Sequence, residues 1–410
     1  MTGNTAKPRI RLHRNVWVLT FTSFLTDVSS EMIFNLLPLF LFNVLGVRTS
    51  VIGLIDGVAE TTASLLKLYS GALADRLGRY KRLAVVGYGV SAAAKPFLYL
   101  ANSWGWVLGV RFSDRVGKGI RNAPRDALLA GSVDPSQRGL AFGLHRAGDT
   151  AGAFLGMSIA ALIVWMTQSG SAQLTRPTFQ AIVIASIIPA FLGLLTLALG
   201  AKEISTPRPD GALLRFCWTG LDRRFRAFLI SIILFTLGNS SDAFIILRGQ
   251  ERGLSVFEIM FMLLTFNAVY ALLSGPAGSL SDRIGRRSLV LAGWLIYGFI
   301  YLGFAIAQTG SQVWFLFALY GVYYAFTEGT ARALIADLVP QENRGRAYGL
   351  FHASIGLTAL PASMIAGILW QGLGAWSGFG PAAPFQFGAL MAISSSLLFY
   401  FTVRERKSPI

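Results

Sequence analysis

The chain has 410 residues, of which 53% are hydrophobic and only 14% are charged, and its formal net charge is +16. A soluble globular chain carries about 25% charged residues, so this chain lacks the polar surface that a soluble fold needs. Its long apolar segments, separated by short polar breaks, predict an all-α polytopic membrane protein. This composition excludes a two-domain soluble enzyme. An outer-membrane barrel is also excluded, because its strands are short segments of strictly alternating hydrophobicity.

Twelve membrane-spanning helices are predicted along the chain, since each helix needs about 20 apolar residues to cross a bilayer. The lone cysteine, Cys217, permits neither an internal disulfide nor a cysteine metal cluster, and we expect no metal and no cofactor. The predicted spans lie near residues 16–45, 51–74, 83–101, 104–131, 138–166, 178–201, 227–247, 255–279, 288–308, 312–337, 345–370 and 384–403.

The basic residues predict the orientation of the chain in the membrane. Of the 36 Lys and Arg residues, 23 fall in the two tails and in the loops on the same side, four fall in the opposite loops and nine lie within spans. Because Lys and Arg are enriched in cytoplasmic loops, both termini are expected in the cytoplasm. We expect an integral protein of the cytoplasmic (inner) membrane, with the excess positive charge explained by topology and not by nucleic-acid binding.

A basic segment with two prolines, residues 202–226, divides the spans into two sets of six. We interpret it as a cytoplasmic linker. The predicted organisation is therefore a cytoplasmic basic tail (1–15), an N-terminal six-helix half (16–201), the linker, a C-terminal six-helix half (227–403) and a cytoplasmic tail (404–410).

The two halves repeat each other in sequence. GALADRLGR at 71–79 recurs as GSLSDRIGR at 278–286, and RGLAFGLHRAG from Arg138 matches RGRAYGLFHAS from Arg344. The triplet Ser29-Ser30-Glu31 likewise matches Ser240-Ser241-Asp242. Three matches in the same order indicate a duplication into pseudo-symmetric halves. Parallel repeats with a substrate site between them near the membrane midplane are typical of secondary transporters.

The repeated loop motif, G-x-L-[AS]-D-[RK]-x-G-R, resembles that of the major facilitator superfamily, and the resemblance covers essentially the whole chain. It implies the twelve-helix fold of that family, alternating access, and a cytoplasmic latch formed by this loop that favours the outward-open state. Small glycines permit close helix approach and tight turns at such a loop. The residues that the resemblance assigns to the latch are Gly71, Asp75, Arg76, Gly78, Arg79, Asp282, Arg283, Gly285 and Arg286.

Two other motifs depart from the family pattern. The fourth span matches R-x-x-Q-G-x-G-x-A only loosely, because Lys118 replaces the glutamine and Arg121 replaces the second glycine. The fifth span carries Gly148, Gly152 and Gly156 but lacks the proline of the drug–proton antiporter motif. The second departure argues against a typical multidrug exporter.

Charged residues inside the spans are the main candidates for function, because each charge at the bilayer centre costs about 2.5–3.5 kcal/mol on insertion scales. The fourth span carries seven of them at spacings of three and four, which places them on one helical face. This stripe must face water or partner charges. Its members are Arg111, Asp114, Arg115, Lys118, Arg121, Arg125 and Asp126.

Two roles remain open for these groups. Glu31, Asp27 and Asp149 are candidates for proton coupling, or else permanent partners of the basic stripe. The basic residues are candidates for capturing an anionic group, for which a guanidinium is well suited. We expect the C-terminal half to contribute shape and aromatic walls from Tyr297, Tyr301, Tyr320, Tyr323, Tyr324 and Phe326. The candidate substrate-binding residues are Arg121, Lys118, Arg125, Arg115, Arg146, Glu328, Asp242 and Tyr324.

The sequence therefore favours a proton-coupled permease for a small, anionic organic solute, working as a monomer in the lipid bilayer. Three matters stay open: efflux of amphipathic or cationic drugs as the alternative function, a non-transporting sensor on the same fold, and Na⁺ in place of H⁺ as the coupling ion. No nucleotide-binding loop is present, so the energy should come from an ion gradient. No group of side chains suggests an enzyme.

Overall fold

The computed structural model describes residues 12–134, 137–168, 170–204, 222–340 and 344–403. In these ranges the chain forms twelve long helices that match the predicted spans to within five residues at either end. The predicted tails at 1–15 and 404–410 and the linker at 202–226 lie wholly or largely outside the described residues. The helices are α1 (Arg14–Val44), α2 (Thr49–Leu77), α3 (Tyr80–Leu100), α4 (Trp104–Gly131), α5 (Arg138–Gln168), α6 (Arg176–Gly200), α7 (Arg223–Glu251), α8 (Val256–Ile284), α9 (Arg286–Ile306), α10 (Gly310–Leu338), α11 (Arg344–Gln371) and α12 (Ala383–Thr402).

Three of the helices are interrupted. α1 is regular to Phe34 and ends in a π-helical segment, Phe40–Val44. The second part of α3, Lys95–Leu100, is a 3₁₀ helix that begins just before a proline. α7 consists of Arg223–Gly238 and Ala243–Glu251, joined by the non-helical tetrapeptide Asn239-Ser240-Ser241-Asp242. Broken helices in membrane proteins are tolerated where the freed backbone groups are buried in protein or line a cavity.

Within the described residues, nine of the twelve helices are long and apolar enough to cross a membrane by length and composition. The other three, α2, α4 and α10, are 28 or 29 residues long. Each of them carries charged residues that line a cavity inside the bundle, such as Glu60 on α2, Lys118 on α4 and Glu328 on α10. The predicted class, an all-α polytopic membrane protein, is therefore confirmed.

We refer to α1–α6 as the N-half and to α7–α12 as the C-half. Within the N-half, α1 packs on α5 and α6, and α4 packs on α2 and α3; within the C-half, α10 packs on α8 and α9, and α12 packs on α7 and α9. The halves meet mainly where α2 lies against α11 and, to a smaller extent, where α5 lies against α8.

Glycines set the close approach of α5 to α1. A Cβ atom added at Gly152 would lie 2.4 Å from the carbonyl oxygen of Phe24. The neighbouring contacts repeat every four residues on both helices, with Gly148 against Thr20 and Gly156 against Val28. The fifth-span glycines thus form a packing face that brings the charged residues of α1 and α5 close together.

A second glycine seam joins the two halves along α2 and α11. A Cβ atom at Gly53 would lie 2.1 Å from the carbonyl oxygen of Ser363, and one at Gly57 would lie 2.8 Å from Cα of Leu360. The hydroxyl of Thr61 donates to a carbonyl of α11 at 2.6 Å. Neither helix can accept a larger side chain here without moving apart.

The bundle is sealed at the end opposite the chain termini, which we call the sealed end. There the amide of Thr49 donates to Gln371 Oε1 at 2.8 Å, and the side chain of Arg48 donates to the Gly374 carbonyl at 3.0 Å. Gln250 Nε2 donates to the Ala172 carbonyl at 2.6 Å. Toward the other end, which we call the tail end, Arg146 Nη2 of α5 donates to the Tyr270 hydroxyl of α8 at 3.1 Å.

The sequence repeat is visible in the geometry of the tail end. Arg138 Nε donates to the carbonyl of Ala130 at 3.3 Å, and Arg344 Nη2 donates to the carbonyl of Ala336 at 3.0 Å. Arg344 lies 206 residues after Arg138, and Ala336 lies 206 residues after Ala130. In each half, the arginine that opens one helix therefore caps the last turn of the helix before it, where a cation is favourable.

Replacing Gly152 with alanine should lower the melting temperature of the purified protein. The added methyl group overlaps the α1 backbone, and overpacking of this kind costs about 1–3 kcal/mol. Gly143→Ala is the matched control, because on the same helix its Cβ would meet nothing within 4 Å. Alanine is also the better helix former by about 0.5–1 kcal/mol. Equal melting temperatures for the two variants would contradict the packing argument.

Replacing Gly53 with alanine should open the sealed end. Spin labels at Asn102 and Gln308, on exposed loops of the two halves at that end, would report a longer mean distance by pulsed electron resonance, after replacement of Cys217. Gly109→Ala is the control, since its Cβ would meet nothing within 4 Å. An unchanged distance in Gly53→Ala would show that the seam does not hold the halves together.

Candidate substrate-binding site

A cavity of about 400 Å³ lies between the N-half and the C-half, near the middle of the helices; we call it the central cavity. Its volume is at the small end of the range of about 300–1,000 Å³ that is typical of small-molecule sites. The N-half wall comes from α1, α2 and α4, and the C-half wall from α7, α10 and α11. Seven predicted site residues line it: Asp27, Glu31, Arg115, Lys118, Arg121, Asp242 and Tyr324.

The basic stripe of α4 faces this cavity because α4 is held tightly against α3. A Cβ atom at Gly117 would lie 2.5 Å from the carbonyl oxygen of Gly87, so the two backbones touch. This contact places the Arg121 guanidinium over the ring of Tyr88, 4.4 Å from its centre. Stacking on an aromatic face holds the planar group in a fixed orientation.

Two arginines of the stripe are paired with carboxylates of α2. Arg115 Nη2 lies 3.0 Å from Glu60 Oε1, and Arg111 Nη2 lies 3.7 Å from Asp56 Oδ1. Both guanidinia also stack on Phe34, at 4.1 Å for Arg111 and 5.7 Å for Arg115. For Arg111 and Arg115, the structure therefore favours permanent ion pairing, one of the two roles that the sequence analysis left open for the stripe.

Two other cations of the stripe are not paired. Neither Lys118 nor Arg121 forms an ion pair or a hydrogen bond with any described residue of the chain. Arg121 is only 6% exposed, and its Nε and Nη1 atoms are buried without a hydrogen-bond partner. Since leaving a buried donor unsatisfied is costly, such donors in a cavity wall are suited to meeting a ligand.

The α1 carboxylates face the same space. Asp27 forms no ion pair with the described part of the chain, and Glu31 accepts a hydrogen bond from Asn35 Nδ2 at 2.9 Å, one turn further along α1. A fully buried lysine supports this turn: Lys95 Nζ donates to Ser29 Oγ at 2.7 Å and to Ser30 Oγ at 3.0 Å. Permanent pairing of Asp27 or Glu31 with α4 is therefore absent from the described residues in this conformation.

Two predicted site residues of the N-half, Arg125 and Asp149, do not line the central cavity. Arg125 is bound by its own neighbour, with Nη2 at 2.8 Å and Nε at 3.0 Å from Asp126 Oδ1. Asp149 Oδ2 lies 3.4 Å from Nδ1 of His145, one turn earlier on α5. The structure thus separates these two residues from Lys118 and Arg121.

The remaining predicted residues meet in a second cavity of about 650 Å³, between α5, α8 and α10 and closer to the tail end; we call it the vestibule. Glu328 accepts hydrogen bonds from the Tyr270 hydroxyl and from Arg332 Nη2, the latter at 3.0 Å. Arg146 Nη2 lies 3.7 Å from Glu328 Oε2 and donates to Tyr270 at 3.1 Å. Among the described residues, Arg146 and Glu328 form the single ion pair between the halves. Tyr324 lines both cavities.

The aromatic walls expected in the C-half are mostly not there, because the tyrosines support the break in α7 instead. Tyr320 donates to Asp242 Oδ1 at 3.2 Å, and Tyr297 donates to the carbonyl of Gly238 at 3.0 Å. Of the six expected aromatic residues, Tyr324 alone is among the residues lining the central cavity. Tyr297, Tyr301, Tyr320 and Tyr323 are buried behind it in stacked and edge-on contacts.

The residues assigned to the latch lie at the tail end. Gly78 and Gly285 end α2 and α8 with φ of 58° and 90°, so a residue without a side chain suits the turn. Arg286 donates to Asp337 Oδ1 at 2.6 Å and lies 3.7 Å from Asp282. The side chain of Asp75 is outside the described part of the chain. Arg76, Arg79 and Arg283 are exposed, and Gly71 lies against α4.

Sequence reasoning missed several cavity residues, chiefly the polar tetrapeptide in α7 and the residues of α11. The repeat match at Ser240-Ser241-Asp242 was the one available signal, and it did not indicate a break in the helix. No group of three or more His, Cys, Asp or Glu side chains that would hold a metal ion occurs in the described ranges. The lining residues not predicted include Ser64, Thr236, Asn239, Ser240, Ser241, Gly356, Ala359 and Ser363.

Comparison with known proteins adds to this geometry. The family model of the Major Facilitator Superfamily matches residues 19–247 and 227–410. An uncharacterized MFS-type transporter of Methanocaldococcus jannaschii is 38% identical over 396 residues, which cover 95% of each chain. The multi-drug resistance efflux pump PmrA of Streptococcus pneumoniae is 24% identical over 341 residues, covering 82% of this chain and 84% of the pump.

Among solved structures, a mutant of the nucleoside transporter NupG superposes with a TM-score of 0.79 at 13% identity, over 95% of this chain and 100% of that one. At this identity the likeness shows the fold alone. The family model and the archaeal relative, however, both span nearly the whole chain. The chain therefore belongs to the major facilitator superfamily and is an integral membrane transporter, not an enzyme.

Proposed function

We propose that the protein is a proton-coupled secondary transporter that moves a small, anionic organic solute across the cytoplasmic membrane by alternating access. One observation carries the proposal: Lys118 and Arg121 face the central cavity without a partner among the described residues, whereas Arg111 and Arg115 beside them are paired. A stripe built only for structural pairing would leave no cation free. The two free cations are suited to a carboxylate or a phosphate.

Proton coupling is proposed for Asp27 and Glu31, with Asp149 as a third candidate. Intramembrane carboxylates that face a water-filled cavity are the groups that relay protons in transporters. Asp27 and Glu31 share the cavity with the two free cations, so a bound anion and a bound proton would interact directly. Asp149 is held by His145 on α5, a helix that packs on α1.

The tail end is assigned to the cytoplasm, from the charge of its loops, and the described conformation is then inward-open. Transport requires the opposite state as well, in which the sealed end opens and the tail end closes. A ligand that binds both states with equal affinity does not change their populations. The solute must therefore bind the occluded state between them more tightly. The loop motif residues around Gly78 and Gly285 are proposed to latch the tail end in the outward-open state.

Efflux of amphipathic or cationic drugs is the second candidate function. Two observations favour it: the PmrA relative is named as a multidrug efflux pump, and the central cavity is lined by more acidic than basic residues. The acidic lining residues are Asp27, Glu31, Asp56, Glu60, Asp114 and Asp242, against Arg111, Arg115, Lys118 and Arg121.

Arg121→Gln and Lys118→Gln should weaken binding of an anionic ligand by about tenfold or more each, because a hydrogen bond to a charged group contributes about 1.5–3 kcal/mol. Binding is measured by the thermal shift of the purified protein with matched anionic, neutral and cationic compounds. Arg125→Gln provides the contrast: it breaks the pair with Asp126 and should lower the melting temperature without changing ligand preference. Stabilisation by lipophilic cations alone would favour drug efflux.

Glu31→Gln should abolish uptake driven by a pH gradient while leaving counterflow exchange of the same ligand measurable. The amide keeps the hydrogen bond with Asn35 but can no longer carry a proton. Uptake is measured in proteoliposomes with an imposed pH gradient, using the compound that stabilises the protein most. Glu60→Gln is the comparison, since Glu60 is paired with Arg115. Unchanged gradient-driven uptake in Glu31→Gln would remove this residue from the coupling role.

A further inference from the structure

We propose that the solute is zwitterionic, with an ammonium group as well as an acidic group, and that the break in α7 supplies the ammonium site. This inference rests on the proposed function and narrows its substrate class. It comes from the distribution of charge around the central cavity. All four cavity cations belong to α4 of the N-half, and Asp242 is the sole charged residue among the C-half lining residues.

Asp242 has the surroundings of a ligand site. It forms no ion pair with any described residue, and one of its oxygens, Oδ1, accepts a hydrogen bond from Tyr320 at 3.2 Å. A carboxylate has acceptor capacity for several hydrogen bonds, so one neutral hydroxyl leaves most of that capacity free. A charge inside the membrane without a partner is expensive, and an ammonium ion from the solute would provide the partner.

The backbone around Asp242 is held in place, as a selective site requires. Ser241 Oγ donates to Asp56 Oδ2 of the N-half at 2.8 Å and accepts from the amide of Ala243 at 3.2 Å. Asn239 Oδ1 lies 3.3 Å from the Tyr320 hydroxyl and 3.4 Å from the Tyr297 hydroxyl, so it shares their protons with Asp242 Oδ1 and the Gly238 carbonyl. The tyrosine cluster that sequence analysis expected to form cavity walls thus fixes the tetrapeptide that carries Asp242.

The other polar lining groups of the C-half fit the same ligand. Thr236, Asn239 and Ser240 are neutral and lie on the same wall as Asp242. They offer hydrogen bonds but no cation that would compete for the acidic group of the solute. An acidic group is therefore directed to Lys118 and Arg121 on the N-half wall. Since Asp27 and Glu31 on that wall are assigned to proton coupling, the ammonium group is directed to Asp242 on the opposite wall.

The test uses sets of three compounds that share a carbon skeleton: the amino acid, the acid without its amino group, and the amine without its carboxylate. The sets are built on leucine, phenylalanine and 4-aminobutyrate, and binding is followed by thermal shift of the full-length protein in detergent. We expect at least one amino acid to bind about tenfold or more tightly than its deaminated acid and its decarboxylated amine.

Substitutions test which residue binds the ammonium group of the ligand. Asp242→Asn should bring the affinity for the amino acid down to that of the deaminated acid, with less than about threefold change for the acid itself. Tyr320→Phe removes the hydrogen bond to Asp242 but keeps the carboxylate, so the preference for the amino acid should persist even if the protein is less stable. Asp222→Asn, the same change at the N-cap of α7 and outside the central cavity, is the matched control, because Asn also caps helices well.

Each outcome separates this inference from the proposed function. The deaminated acids could bind as tightly as the amino acids, with no effect of Asp242→Asn on the ranking. This result would contradict the zwitterionic substrate but would leave the proposal of an organic-anion transporter standing. Binding of the amines alone would overturn both. Absence of stabilisation by every amino acid in the sets would likewise overturn the zwitterion.

Discussion

The structure depends on how one helix carries its charges through the membrane. α4 places seven ionisable groups on one face, and each would cost about 2.5–3.5 kcal/mol if it faced lipid. The helix can therefore exist only with this face turned to partners or to water. α2 supplies carboxylates for Arg111 and Arg115, and α3 supplies the ring under Arg121 and a hydroxyl, that of Ser91, for Asp114. Arg125 pairs with Asp126, and Lys118 faces the central cavity. The position of α4 thus fixes both the core of the N-half and one wall of the central cavity.

The same constraint explains why the backbone contacts are so close. A charged face that must meet partners at hydrogen-bond distance needs helices that approach tightly, and glycine permits this. Gly87 and Gly117 bring α3 against α4, and Gly152 brings α5 against α1. Between the halves, the glycines of α2 and α11 form a contact that opens in the proposed transport cycle. Glycine contacts therefore occur both within one half and between the two halves.

The sequence predicted the fold well because its signals are local. Apolar segment length placed the twelve helices, and the spacing of three and four from Arg111 to Arg125 placed the charges of α4 on one face. Which of those charges are free could not be predicted, because Asp56 and Glu60 reach them from α2 through tertiary packing. The tyrosines of α9 and α10 show the same limit. Their spacing indicates a shared face, but only the packed structure shows that this face supports the α7 break.

The break in α7 was not predicted either, and the reason is physical. Asn239-Ser240-Ser241-Asp242 follows a glycine and consists of weak helix formers, but it contains no proline, so local sequence disfavours a continuous helix there without forbidding it. The tetrapeptide leaves helical geometry because tertiary contacts replace the lost hydrogen bonds: Tyr297 binds the Gly238 carbonyl, and Ser241 binds Asp56 across the cavity. An irregular segment of this kind at mid-membrane is tolerated only inside protein or beside a cavity.

The asymmetry of charge between the halves bears directly on alternating access. Lys118 and Arg121, which form no ion pair, belong to the N-half, while Asp242, which forms none either, belongs to the C-half, and no described side chain pairs them across the cavity. A solute that contacts both walls adds attraction between the halves that the empty protein lacks. The loaded and empty proteins then differ in how strongly the halves close, which is the differential interaction that a ligand needs in order to shift a conformational equilibrium. A solute that bound one wall alone would add no such attraction.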